Sequence, residues 1–124
     1  MSERETETNV PGFDPAHRIL CRERFATCVG VIDDAIDLGS AALWMGAEEY
    51  PGLEVPRYLG EFERLARLVR GRLEDKADLT ESLEALRSVL VEDEGFRGNA
   101  DEYYDPRNSF LNEVLERRVG IPIS

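Results

Sequence analysis

The sequence predicts an all-α chain of about five helices, packed as a small bundle or helical layer. Three observations carry that expectation. Asp-Pro pairs stand where helices would open, apolar residues recur at three- and four-residue spacing, and no alternating stretch is long enough for a convincing strand. The 124 residues suit one domain with one modest core.

Residues 1–12 are polar, end in Pro11-Gly12 and are expected to form a disordered acidic tail before a helical domain over 13–124. Asp14 then offers a side-chain cap before Pro15 at the first helical position, which predicts a helix from Pro15 to about Cys28 that Gly30 can end. A second is predicted from near Asp33, where Asp33 and Asp34 suit the positive end of a helix dipole, until Pro51-Gly52 stops it. Its face would be Ile32, Ile36, Gly39, Leu43 and Gly46. The third runs from Pro56 to about Leu73 on a stripe of Leu59, Phe62, Leu65, Ala66, Val69 and Leu73, with Gly71 a weak point. The fourth opens on Asp78-Leu79-Thr80-Glu81, a capping box, and aligns Leu79, Leu83, Leu86 and Leu90 before Gly95. The fifth is expected from Asp105-Pro106 to Gly120, with Arg117 and Arg118 at its carbonyl end. No repeat of steady period is present.

Charge narrows the partners. Fifteen Lys and Arg stand against 26 Asp and Glu, a formal net charge of −11. Such a surface repels phosphate backbones and anionic lipid heads, so neither nucleic acid nor a membrane is an expected partner. Apolar runs are too short to cross a bilayer, and the stretch Met1-Ser2-Glu3-Arg4-Glu5-Thr6-Glu7 lacks the apolar core of a secretory signal. Cys21 and Cys28 lie two helical turns apart, about 10 Å of rise, which is too far for a disulfide between them. The cytoplasm is the expected location.

Candidates for chemistry are few. His17, Cys21 and Cys28 share one face of the first helix, but structural zinc ligands come in tighter pairs, so no metal is expected there. His17 is one turn from Cys21, yet a helix interior supplies no oxyanion hole for a thiol nucleophile. Asp33 with Asp37 and Glu48 with Glu49 lack the ExxH spacing of a carboxylate-bridged metal pair and read as a solvated face. Gly95-Phe96-Arg97-Gly98 has no phosphate-cradling motif around it, and no cofactor is expected.

The stretch from Gly95 to Ser124 is denser in glycine, tyrosine and amide side chains than the rest. Gly95, Phe96, Gly98 and Asn99 are followed by Tyr103, Tyr104, Asp105, Pro106, Asn108 and Ser109, then by Arg118, Gly120 and Pro122. These residues suggest a loop of demanding shape, bonded to itself, which either aims the fifth helix as a structural corner or forms a ligand or interaction site.

At these residues the chain resembles the SirB-type transglutaminase-like family. The resemblance covers roughly Ile32 to Ser124 and takes in Ala42-Leu43-Trp44-Met45-Gly46-Ala47-Glu48-Glu49-Tyr50-Pro51. Its specific part is the run that begins at Gly95-Phe96-Arg97-Gly98-Asn99, continues through Tyr103-Tyr104-Asp105-Pro106-Arg107-Asn108-Ser109-Phe110-Leu111-Asn112-Glu113-Val114-Leu115-Glu116-Arg117-Arg118 and closes on Gly120-Ile121-Pro122-Ile123-Ser124. In that family the closing segment leads into a core helix similar to the cysteine-bearing helix of transglutaminases and papain-like proteases. Here the sequence ends at Ser124, neither Cys21 nor Cys28 holds the nucleophile's place, and His17 stands in the wrong order.

The resemblance therefore implies the N-terminal helical part of a transglutaminase-like α+β fold, truncated before its core. It implies no catalytic residue and a binding or regulatory role, so the chain is not expected to be an enzyme by itself. Phe110, Leu111, Val114 and Leu115 would then lack a neighbour, and so would Ile121, Pro122 and Ile123. The expected partner is protein, by self-association or through a second chain covering Phe110–Ile123. Half of a split enzyme and a remnant of a truncated gene are the rival expectations.

Overall fold

The computed structural model describes residues 14–122 and Ser124; the tail expected over 1–12 and Ile123 lie outside the described residues. Helix α1 spans Pro15–Val29. The Asp14 carboxylate accepts from the Ala16 amide at 3.0 Å, and the Gly30 amide closes the last turn on the Ala26 carbonyl. Both ends follow the sequence expectation.

Helix α2 spans Leu38–Glu49, later than expected. Asp33–Ala35 form only a single 3-10 turn, and the cap is Asp37, whose carboxylate accepts from the Ser40 amide and hydroxyl at 3.0 and 2.6 Å. An acceptor that satisfies orphan amides fixes a helix start more firmly than nearby negative charge does. Ile32 is thereby left exposed, and the buried face becomes Ser40, Ala41, Leu43, Gly46 and Ala47. These are mostly small residues, which let α1 lie close. His17 meets Ala47 and Arg24 lies over Trp44, so the two helices run antiparallel.

Helix α3 spans Val55–Arg70 and ends at Gly71, three residues short of the expected Leu73. Its stripe turns inward, with Leu65 buried and Leu59, Phe62, Ala66 and Val69 half-buried. The core joins Cys21, Leu43, Ala47 and Val55, with Trp44, Leu53, Tyr58, Leu59, Phe62 and Leu111 packed against them.

Helix α4 spans Leu79–Arg87 and continues as a wider π turn over Ser88–Asp93. The Asp78 carboxylate caps it by accepting from the Glu81 amide at 2.8 Å. The leucine face, however, looks outward: Leu79, Leu83 and Leu86 are 74%, 56% and 40% exposed. Ala85 and Val89, about a quarter-turn around the helix, are the buried side.

The expected fifth helix is broken. Pro106–Ser109 form a 3-10 turn, Phe110 is extended, and α5 covers only Leu111–Arg117. Arg118, at φ 60°, turns the chain into the left-handed region and ends α5. The chain then pairs with an earlier segment: β1 at Arg97–Gly98 and β2 at Val119–Gly120 run in parallel, with Arg97 beside Val119 and Gly98 beside Gly120. Two-residue strands are too short to show any alternation in sequence. Val114 and Leu115 are buried within the chain, which corrects the expectation of a bare face at those two residues; Phe110, Leu111 and Ile121 are half-buried and Pro122 is exposed.

Helices α2 and α5 approach closely at Gly46, where a Cβ would stand 2.9 Å from the buried Asn112 Oδ1. Gly46→Val is expected to lower stability by about 1–3 kcal/mol through overpacking, read as a fall in the urea midpoint at unchanged slope.

Candidate functional site

The residues from Gly95 to Gly120 close into one corner. Gly95, at φ +76°, turns the chain out of the π turn, and the Phe96 amide donates to the Leu90 carbonyl at 2.9 Å. The Arg97 amide donates to the Arg118 carbonyl at 3.0 Å and the Asn99 amide to that of Gly120 at 2.8 Å, which ties both ends of the corner together. Gly120 is crowded: a Cβ there would stand 2.6 Å from Ser124 Oγ.

Two buried amides fill the corner. Asn99 Nδ2 donates to Asn108 Oδ1 at 2.9 Å, and Asn108 Nδ2 donates to the carbonyls of Glu102 and Tyr103 at 3.0 and 2.9 Å. Asn99 Oδ1 accepts from the Glu102 amide at 3.0 Å. Asp105 caps the following turn by accepting from the Arg107 amide, with Pro106 at its first position. Tyr103 and Tyr104 sit on the outside of this loop, and Ser109 and Pro122 are exposed. The structure thus brings together Gly95, Phe96, Gly98, Asn99, Asp105, Pro106, Asn108, Arg118 and Gly120 as one structural corner.

A charged group that the sequence did not reveal stands behind it. Arg64 of α3 bonds Glu61 and Glu94, both at 2.7 Å, and Arg118 reaches Glu61 at 3.2 Å and Glu94 at 3.3 Å. The Arg118 guanidinium also lies 4.7 Å from the Phe96 ring centroid. Hydrogen bonds from Arg64 hold the Glu61 and Glu94 carboxyls below their ordinary value, so both stay ionised at neutral pH and are poorly suited to proton transfer. Glu61 and Arg64 are a local pair three positions apart, but the links to Glu94 and Arg118 span 30 and 57 positions and leave no local pattern to find.

His17 and Cys21 do meet, at 3.4 Å from Nε2 to Sγ. The same Nε2 lies 2.7 Å from the Ala47 carbonyl, which can only accept. Nε2 therefore carries its proton toward Ala47 and is not free to take one from the thiol. Burial, followed by the Glu48 charge, pushes the Cys21 thiol up. This is a packed thiol rather than an activated one. Among the described residues, no group of three or more His, Cys, Asp and Glu is placed to hold a metal ion.

Residues 56–124 match the family model of the transglutaminase-like superfamily. The chain belongs to that superfamily. Its superfamily region contains neither cysteine nor histidine, since His17, Cys21 and Cys28 all precede it. The chain is 39% identical over 94 residues to a UPF0162 protein of Xylella fastidiosa, covering 76% of this chain and 34% of the relative. It is 31% identical over 105 residues to a UPF0162 protein of Vibrio cholerae, covering 85% of this chain and 36% of that one. A shorter likeness, 45% over 42 residues, links it to the mouse F-box only protein 21, at 34% of this chain and 7% of that protein. The chain spans about a third of the length of the UPF0162 relatives. No solved structure matches it.

Asn108→Ala would strand the buried Asn99 side-chain amide and leave two part-buried carbonyls without their donor; it is expected to cost about 1–3 kcal/mol for the stranded amide and to speed amide exchange over 99–104. Asp105 supplies a pH test. The Arg107 side chain, and then its amide, hold the Asp105 carboxyl down from 3.8 to about 2. A depressed carboxyl contributes stability above its unfolded value and loses it as pH falls through the folded one. Urea midpoints should therefore fall between about pH 4 and pH 2, and Asp105→Asn should flatten that limb.

Proposed function

We propose that the chain is a non-enzymatic helical interaction module, related to the N-terminal region of SirB-type transglutaminase-like regulators and acting through protein contact in the cytoplasm. The observation that carries this reading is the leucine face of α4. Leu79, Leu83 and Leu86 lie in a row on a capped helix whose other side is already packed through Ala85 and Val89. An apolar row held open on a rigid element favours a partner. We put the contact on α4 rather than over Phe110–Ile123 because Val114, Leu115 and Val119 are covered within the chain. A net charge of −11 disfavours a second copy as that partner.

A packed Cys21 thiol without a free base supports a role outside catalysis. The test places a photo-cross-linker at Leu83 and, as control, at the exposed Glu63 of α3. A saturable cross-link at Leu83 that Leu79→Glu abolishes is the expected result. Equal labelling at both positions, or amine incorporation into a protein substrate that Cys21→Ala abolishes, would overturn the reading.

A further inference from the structure

We propose that the rings of Tyr103 and Tyr104, with the carboxylates of Asp101 and Glu102, take a lysine or arginine side chain presented by a partner peptide. The two rings stand at 81° with centroids 5.2 Å apart, which makes two walls of a corner. Tyr104 is 93% exposed and Tyr103 50%, so neither ring is committed to this chain's own core. An open hollow of about 410 Å³ lies among these rings, Asp101, Glu102, Asp105 and Arg107.

Ring faces attract a cation within about 6 Å of their centroids. The carboxylates reinforce that sign. Asp105 is taken up by Arg107, at 2.6–3.2 Å. Glu102 touches Arg107 only at 3.8 Å and stays two-thirds exposed, while Asp101 has no side-chain partner among the described residues. Three carboxylates against one guanidinium leave the lining of the hollow two negative charges in excess.

The backbone beneath the rings is held from inside. Asn99 accepts from the Glu102 amide, and Asn108 donates to the carbonyls of Glu102 and Tyr103. The loop is therefore ordered before any ligand arrives, which reduces the entropy lost on binding. A cation on a peptide is the better occupant than a free polyamine because the hollow is shallow and wide open to solvent, so a single side chain projecting from a peptide can reach the rings while the rest of the peptide stays outside.

The test follows the tyrosine ring resonances by NMR while a four-residue lysine peptide is added at low ionic strength. Saturable shifts confined to Tyr103 and Tyr104 are expected. Tyr104→Ala should weaken binding about two- to fivefold, while Tyr104→Phe, which keeps the ring face, should not. Asp101→Asn should also weaken it. Unchanged affinity in Tyr104→Ala, or spermine binding as tightly as the peptide, would overturn the proposal, because the net charge would then suffice.

Discussion

The pair of buried amides, Asn99 and Asn108, is the constraint on which the C-terminal half depends. The loop between β1 and the Pro106–Ser109 turn aims the carbonyls of Glu102 and Tyr103 at the buried Asn108, which supplies a donor to each. Asn108 gives both from one nitrogen and accepts from Asn99 with its oxygen. An aspartate could not donate, and a leucine could do neither. The Asn99 backbone N–H also donates to the Gly120 carbonyl, so the residue that anchors the loop is the one that sets β2 beside β1.

Arg118 is the second tie, and its backbone is strained. A non-glycine residue at φ 60° costs about 1–3 kcal/mol. The strain is offset by what that conformation allows: a guanidinium over Phe96, within reach of both Glu61 and Glu94. Glycine at this helix end would relieve the backbone and remove every one of those contacts. The ion pairs are partly exposed, so each is weak alone, and their joint geometry with Arg64 is what fastens α3 to the corner.

Asp-Pro pairs show how far local signals reach. Asp14-Pro15 opens a fifteen-residue helix, while Asp105-Pro106 opens only a 3-10 turn. The local chemistry is the same; the difference is Asn108, drawn inward by carbonyls five and six residues earlier, after which the chain straightens at Phe110. The caps at Asp14 and Asp78 and the stripe of α3 were legible because they are written in neighbouring residues. Periodicity found the leucine face of α4 but not its orientation, since Ala85 and Val89 offer a second apolar side that packs more closely. The glycine-, tyrosine- and asparagine-rich stretch was legible as a structured corner, whereas its charged backing from α3 was not.

Cysteine chemistry separates the parts of this chain. A thiol nucleophile needs a base with a free lone pair, and the Ala47 carbonyl occupies His17 Nε2 in its donor role. Freeing that nitrogen would require the other tautomer, which would set two acceptors 2.7 Å apart. The packing of α1 on α2 thus works against activation of Cys21. The stretch that matches the transglutaminase-like superfamily, residues 56–124, holds no thiol or imidazole, and its order rests on the amide-held corner and the ion pairs from α3 behind it.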